Sequence, residues 1–112
     1  MNPLPLCYRI QQKLPIFVEE IAYLEGCGNY TTIHFIDGNR IMLSKNIGLL
    51  GSLLSPTEFI RLNKTYLVHL KSIVAYQYAV PKWLAVQLPN GQWTEVSRRR
   101  IKEVKQKISA SN

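Results

Sequence analysis

Acidic residues are scarce in this chain. Seven Asp and Glu face fourteen Lys and Arg across 112 residues, a formal net charge of +7, with a sequence pI of about 9.7. Such an imbalance points to nucleic acid or an anionic membrane surface as partner. Long apolar runs are missing as well. No stretch approaches the roughly 18 residues that span a bilayer, and no charged n-region precedes an apolar segment as in a signal peptide. The C-terminal apolar stripe holds only Ile101, Val104 and Ile108, without an aromatic, a thin face for interfacial binding. No membrane insertion is expected, and a cytoplasmic setting is. Cysteine is confined to Cys7 and Cys27, too few for a disulfide framework and at no CxxC spacing, so reduced thiols that serve no metal are expected.

Groupings that carry catalysis are also lacking. His34 and His69 each stand without a second His or Cys at ligand spacing, and read as structural histidines. Glu19-Glu20 resembles a carboxylate pair, but neighbours along a strand point to opposite faces. Cys27 lies between two glycines with no base partner to activate it. The chain is therefore expected to be no enzyme and to need no cofactor or metal.

What is present is a basic C-terminal half. Residues 1–56 balance Arg9, Lys13, Arg40 and Lys45 against Glu19, Glu20, Glu25 and Asp37; residues 57–112 therefore hold the whole excess. Its densest point is Ser97-Arg98-Arg99-Arg100, just before Ile101, Val104 and Ile108 set an amphipathic helical stripe. Ser97 suits an N-cap, which puts three arginines in the first turn. Cations there are disfavoured by roughly 0.3–1 kcal/mol each, and a broken local rule marks a functional site. Free N–H groups and guanidiniums together make an anion site suited to phosphate. Helical geometry aims Arg99 away from the apolar stripe, with Arg98 and Arg100 flanking it. The bland alternative is a solvated basic helix start.

The remaining pattern is mostly β with two helical pieces, sized for one domain. Strands are expected at Ile21–Glu25, ending at Gly26-Cys27-Gly28, and at Tyr30–Ile36, paired with Ile41–Leu43 across Asp37-Gly38-Asn39. Further strands are expected at Ser72–Tyr76, and at Trp83–Leu88 paired with Trp93–Val96. Asn46 caps a short helix that turns Ile47, Leu50 and Leu54 inward and stops at Ser55-Pro56. Gly48 and Gly51 weaken that helix by about 1 kcal/mol each, so packing must hold it. Trp83 and Trp93, with Tyr76 and Tyr78, offer stacking surfaces, but read first as core or cross-strand residues.

Three segments resemble the LytTR family of DNA-binding domains. They are Ile21-Ala22-Tyr23-Leu24-Glu25 followed by Gly28-Asn29-Tyr30-Thr31, then Phe59 through Val68, then Val96-Ser97-Arg98-Arg99-Arg100. Their order and spacing are similar to the family's, which divides the chain into a lead-in at 1–15, a LytTR-like domain at 16–108 and a tail at 109–112. The resemblance implies mainly β structure: stacked antiparallel sheets with one short internal helix and a C-terminal helix, reading DNA through loops. It implies the output domain of a bacterial transcription regulator in a two-component system, behind a receiver or sensor domain. No receiver fits within 112 residues, so an excised fragment or a solitary regulator is expected. It further implies a monomer alone and two copies on paired DNA repeats about one helical turn apart. By position, the base-reading residues are Asn29, Thr31, Lys64 and Arg99. The family's His-Arg/Lys-Ser step reads Asn63-Lys64-Thr65 here, and the Asn that commonly closes it is His69, so no site preference is transferred.

Residue chemistry agrees with that assignment. Lys64 and Arg99 suit guanine O6 and N7, Arg as a bidentate donor, and Asn29 suits adenine N6 and N7. Lys45, Arg61, Asn63, Thr65, Ser97, Arg98 and Arg100 suit phosphate and positioning contacts. Plainer readings stand beside them: Asn29 as a turn residue, Thr31 as a β-former, Arg61 as a partner of Glu58 or Glu95. Two other functions fit the composition: a β module binding RNA or single strands through exposed aromatics, or a basic protein-interaction module.

Overall fold

A computed structural model describes residues 3–8 and 15–110, with side chains from Ile16 onward. Ten strands and two helices run in chain order: β1 (Pro3–Tyr8), β2 (Pro15–Phe17), β3 (Ile21–Cys27), β4 (Tyr30–Phe35), β5 (Arg40–Leu43), α1 (Ile47–Gly51), β6 (Phe59–Arg61), β7 (Tyr66–His69), β8 (Ala75–Ala79), β9 (Trp83–Gln87), β10 (Trp93–Glu95) and α2 (Ile101–Ala110). The strands form an antiparallel five-stranded sheet in the order β5-β4-β3-β7-β6, a three-stranded sheet β10-β9-β8, and the pair β1-β2.

The central sheet is covered on both faces, which is why β3 and β7 read as nearly continuous apolar runs. On one face Leu24, Ile33 and Leu67 pack with Ile47 and Leu50 of α1 and with Leu54 beyond it. On the other, Tyr23, Ile60 and Val68 meet Leu84 and Val86 of β9 and Ile101, Val104 and Ile108 of α2. The Asn46 side chain caps α1 by accepting from Leu49 N at 2.8 Å, as expected of that residue. Glycine lets α1 sit close: a Cβ on Gly26 would fall 2.9 Å from Ile47 Cγ2. At the two hairpin tips Gly38 and Gly91 adopt φ of +92° and +90°, where L side chains are strained.

Several features differ from the sequence expectation. Leu70–Ser72 is a 3-10 turn, so the strand expected from Ser72 begins at Ala75 and runs to Ala79. His69 causes the delay: its Nδ1 accepts from Lys71 N, which curls the chain before it enters the sheet. Trp83 and Trp93 are not core; they stand 37% and 42% exposed on the outer face of the small sheet. Their registers put them on the Ala85–Gln87 side, opposite the buried Leu84 and Val86. The lead-in contains β1, paired with β2, and the stretch 9–14 lies outside the described residues. α2 continues through Ala110, and 111–112 lie outside the described residues. Cys27 is free and exposed, and the Cys7 side chain lies outside the described residues.

Candidate nucleic-acid interface

Antiparallel order gathers one end of every central strand. β3 and β5 finish, β4 and β7 begin, and β6 finishes, all at the same end of the sheet. Asn29, Lys45 and the 62–65 connector therefore emerge side by side. Two backbone bonds tie them to their neighbours. Gly26 N donates to Thr65 O at 2.7 Å, and Ser97 N donates to Leu62 O at 2.9 Å. The second bond brings the Arg98–Arg100 turn against the connector, so the second and third motifs become one surface. At the opposite end lie Glu19, Glu20, Asp37 and Glu58, beside the other strand termini.

Asn63 holds the connector rather than facing solvent. Its Nδ2 donates to Thr94 Oγ1 at 2.9 Å and Glu95 O at 2.7 Å, while its Oδ1 accepts from Thr65 N and Tyr66 N. Those four bonds use all the capacity of a side-chain amide. The expected phosphate contact by Asn63 is corrected accordingly: it is a brace between the connector and β10. Arg61 pairs with neither Glu58 nor Glu95. Its Nε donates to Asn63 O at 2.6 Å and its Nη2 to Lys64 O at 2.8 Å, which leaves it a bracing role and a partly buried guanidinium. Burial, and then the Arg100 and Arg99 guanidiniums, push Arg61 below the usual arginine range. Three guanidiniums thus share one site, and among the described residues none of Arg61, Lys64, Arg98, Arg99 and Arg100 forms an ion pair with an acid.

Thr31 is also corrected. It is 0% exposed, and its hydroxyl donates to Lys45 O at 2.7 Å. A group so enclosed cannot touch a base edge without unfolding β4; instead it sets the path of the Lys45-Asn46 backbone into α1. Asn29, Lys45 and Lys64 are exposed, and Thr65 is half-buried. Tyr30, 53% exposed, joins this end beside Asn29 although it was outside the expected set; its adjacency to Asn29 is the signal that marks it.

The arginine turn departs from the expected helix start. Arg98–Arg100 form a 3-10 turn preceding α2, and the Ser97 side chain makes no capping bond. Ser97 is extended (φ −56°, ψ 138°) and its carbonyl accepts from Arg100 N at 2.8 Å, so its hydroxyl stays available. In a 3-10 turn residues i and i+3 align, which gives Arg99 the direction of exposed Lys102. Arg98 and Arg99 are exposed and Arg100 is half-buried, while Ile101, Val104 and Ile108 form the buried stripe. Among the described residues no group of three His, Cys, Asp or Glu could hold a metal ion, and no helix is long and apolar enough to cross a membrane.

The family model for the LytTr DNA-binding domain matches residues 11–109. The fold is similar to a solved structure, the LytTr DNA-binding domain of a protein described as a methyl-accepting/DNA response regulator from Bacillus cereus. That match has 17% identity and a TM-score of 0.72, covering 90% of this chain and 93% of the other. No curated protein matches the chain.

Proposed function

Starting from a chain that belongs to the LytTR family of DNA-binding domains, we propose that it reads duplex DNA by sequence, as the output domain of a bacterial transcription regulator in the cytoplasm. The observation that carries this reading is the Ser97 N to Leu62 O bond. It sets two basic segments from distant parts of the chain against each other, and among the described residues none of their cations is in an ion pair. Lys64 and Arg99 are the readers in the major groove, joined by Asn29 from the β3–β4 turn. Lys45, Thr65, Ser97, Arg98 and Arg100 take phosphates, which fix register without reading sequence. Binding is the whole of the proposed activity. A domain of this size reads a short half-site, so specificity calls for two copies on paired repeats, with a receiver or sensor domain elsewhere in the regulator.

One observation favours single strands instead: the half-exposed Trp83 and Trp93. Between them, however, the Glu95 carboxylate accepts from Trp83 Nε1 at 3.0 Å, and its charge repels a phosphate backbone on that face. Duplex is the better-supported partner. The test compares binding to a duplex pool with binding to the same strands unpaired, at two salt concentrations. Duplex preference is expected. Equal or stronger binding to unpaired strands would move the site to the tryptophan face.

A further inference from the structure

β8 is the end strand of the small sheet, with β9 on one side and no strand on the other among the described residues. Free edges are normally guarded by lysine, proline or a bulge, because their unpaired N–H and C=O groups accept another strand. This one carries no charge between Lys71 and Lys82. It is also strongly apolar along one side: Val74, Tyr76, Tyr78 and Val80 are 60%, 45%, 40% and 81% exposed.

The sequence of that edge supplies its partner. Residues 74–80 read Val-Ala-Tyr-Gln-Tyr-Ala-Val, a palindrome centred on Gln77. When β8 meets its own copy antiparallel about Gln77, every strand residue faces its own kind: Gln77 faces Gln77, Tyr76 faces Tyr78 and Ala75 faces Ala79, with Val74 and Val80 flanking the strand. Directly opposed side chains are the unit of sheet stabilisation, with aromatic pairs and β-branched pairs among the favourable ones. A two-fold interface requires this kind of self-complementarity. We propose that the free edge of β8 pairs with the β8 edge of a second copy of this chain, joining two three-stranded sheets into one of six strands.

One short strand per copy buries a small area, below that of stable interfaces, and each copy carries +7. Lys105, whose Nζ lies 3.7 Å from the Tyr78 ring centroid, adds a further positive charge beside this edge. The free chain therefore pairs weakly, with a Kd of roughly 0.1–1 mM, strengthened by salt. Two copies held on adjacent DNA sites meet at far higher effective concentration. The pairing rests on the edge alone, so it is tested without DNA.

Sedimentation equilibrium of the full chain, from micromolar to millimolar, is the measurement, at high salt for the parent alone and at about 0.1 M salt, where facing charges still act, for comparing the variants. Gln77 is exposed and away from the basic end, so Gln77→Lys and Gln77→Glu leave the fold and duplex binding intact. Each variant alone puts like charges opposite each other and should stay monomeric, with at least a tenfold weaker association than the parent. An equimolar mixture of the two should restore the dimer. A parent that remains monomeric at millimolar concentration, a Gln77→Lys variant that dimerises like the parent, or a mixture that fails to recover would overturn the proposal.

Discussion

At the scale of residues, the site divides into groups that reach outward and groups that hold them. Asn63 holds: replacing it with Ala leaves Thr65 N and Tyr66 N without an acceptor and detaches the connector from β10. Denaturant unfolding of Asn63→Ala should show a loss of about 1–3 kcal/mol; unchanged stability would mean that its four bonds contribute nothing. Arg98 is exposed and is one of the proposed phosphate contacts, so Arg98→Ala should weaken binding to all duplexes alike and lower the salt slope by about one. A loss confined to one sequence would make it a reader. His69 holds a turn in a way that depends on pH. Its Nδ1 accepts from Lys71 N, and burial, outweighing the nearby Glu58 carboxylate, lowers its pKa from the usual 6.5. The sign follows from proton linkage: the unfolded chain binds the proton more readily, so stability rises with pH in this range. It is complete above about pH 6.5 and is lost as pH falls through the folded value. His69→Asn keeps a carbonyl acceptor for Lys71 N without titrating. Melting temperatures across pH 5 to 7.5 should fall on acidification for the parent and stay flatter for His69→Asn. Parallel curves would show that the turn does not sense protonation.

At the scale of elements, α1 depends on close approach more than on helix propensity. Gly26 meets the stiff, β-branched Ile47, whereas a Cβ on Gly51 would meet only the flexible Leu67 Cδ1 at 2.8 Å. Gly26→Ala should therefore destabilise by about 1–3 kcal/mol, and more than Gly51→Ala, by chemical denaturation of both; the reverse order would contradict this packing. Element types were legible because period and caps are local. Asn46, the Gly38 turn and the Ile101/Val104/Ile108 stripe each stand where the sequence puts them. The start of β8 was not, since it is displaced by a His69 side-chain bond that no propensity encodes. Thr31 and Asn63 show the same limit within the site. Their type suits DNA contacts, but a buried hydroxyl partner on Lys45 and an amide brace to Thr94 are tertiary facts. The basic surface was readable segment by segment; its assembly depends on Ser97 N reaching Leu62 O across 35 positions.

At the scale of the whole molecule, charge is only partly sorted along the strands, since Glu25 lies near the basic end and Arg40 and Lys71 at the other. Lys45, Lys64, Arg61 and the arginine turn share one end, while Glu19, Glu20, Asp37 and Glu58 lie at the other. Such a distribution orients a polyanion toward the connector before contact and speeds association at low salt. With about four to six phosphates neutralised, log affinity should fall against log salt with a slope near −4 to −5; a flat dependence would reduce the basic end to solvated surface. The central claim is that two braced segments read different base pairs of a duplex. Its most direct test titrates the parent, Arg99→Ala and Lys64→Ala against a site selected from a random duplex pool and against every single-base change of that site. Arg99→Ala should lose about 1–3 kcal/mol on the selected site and level the preference at one base pair. Lys64→Ala should do the same at a different base pair. If both variants lose affinity equally across the whole panel, the two residues clamp phosphate and read nothing.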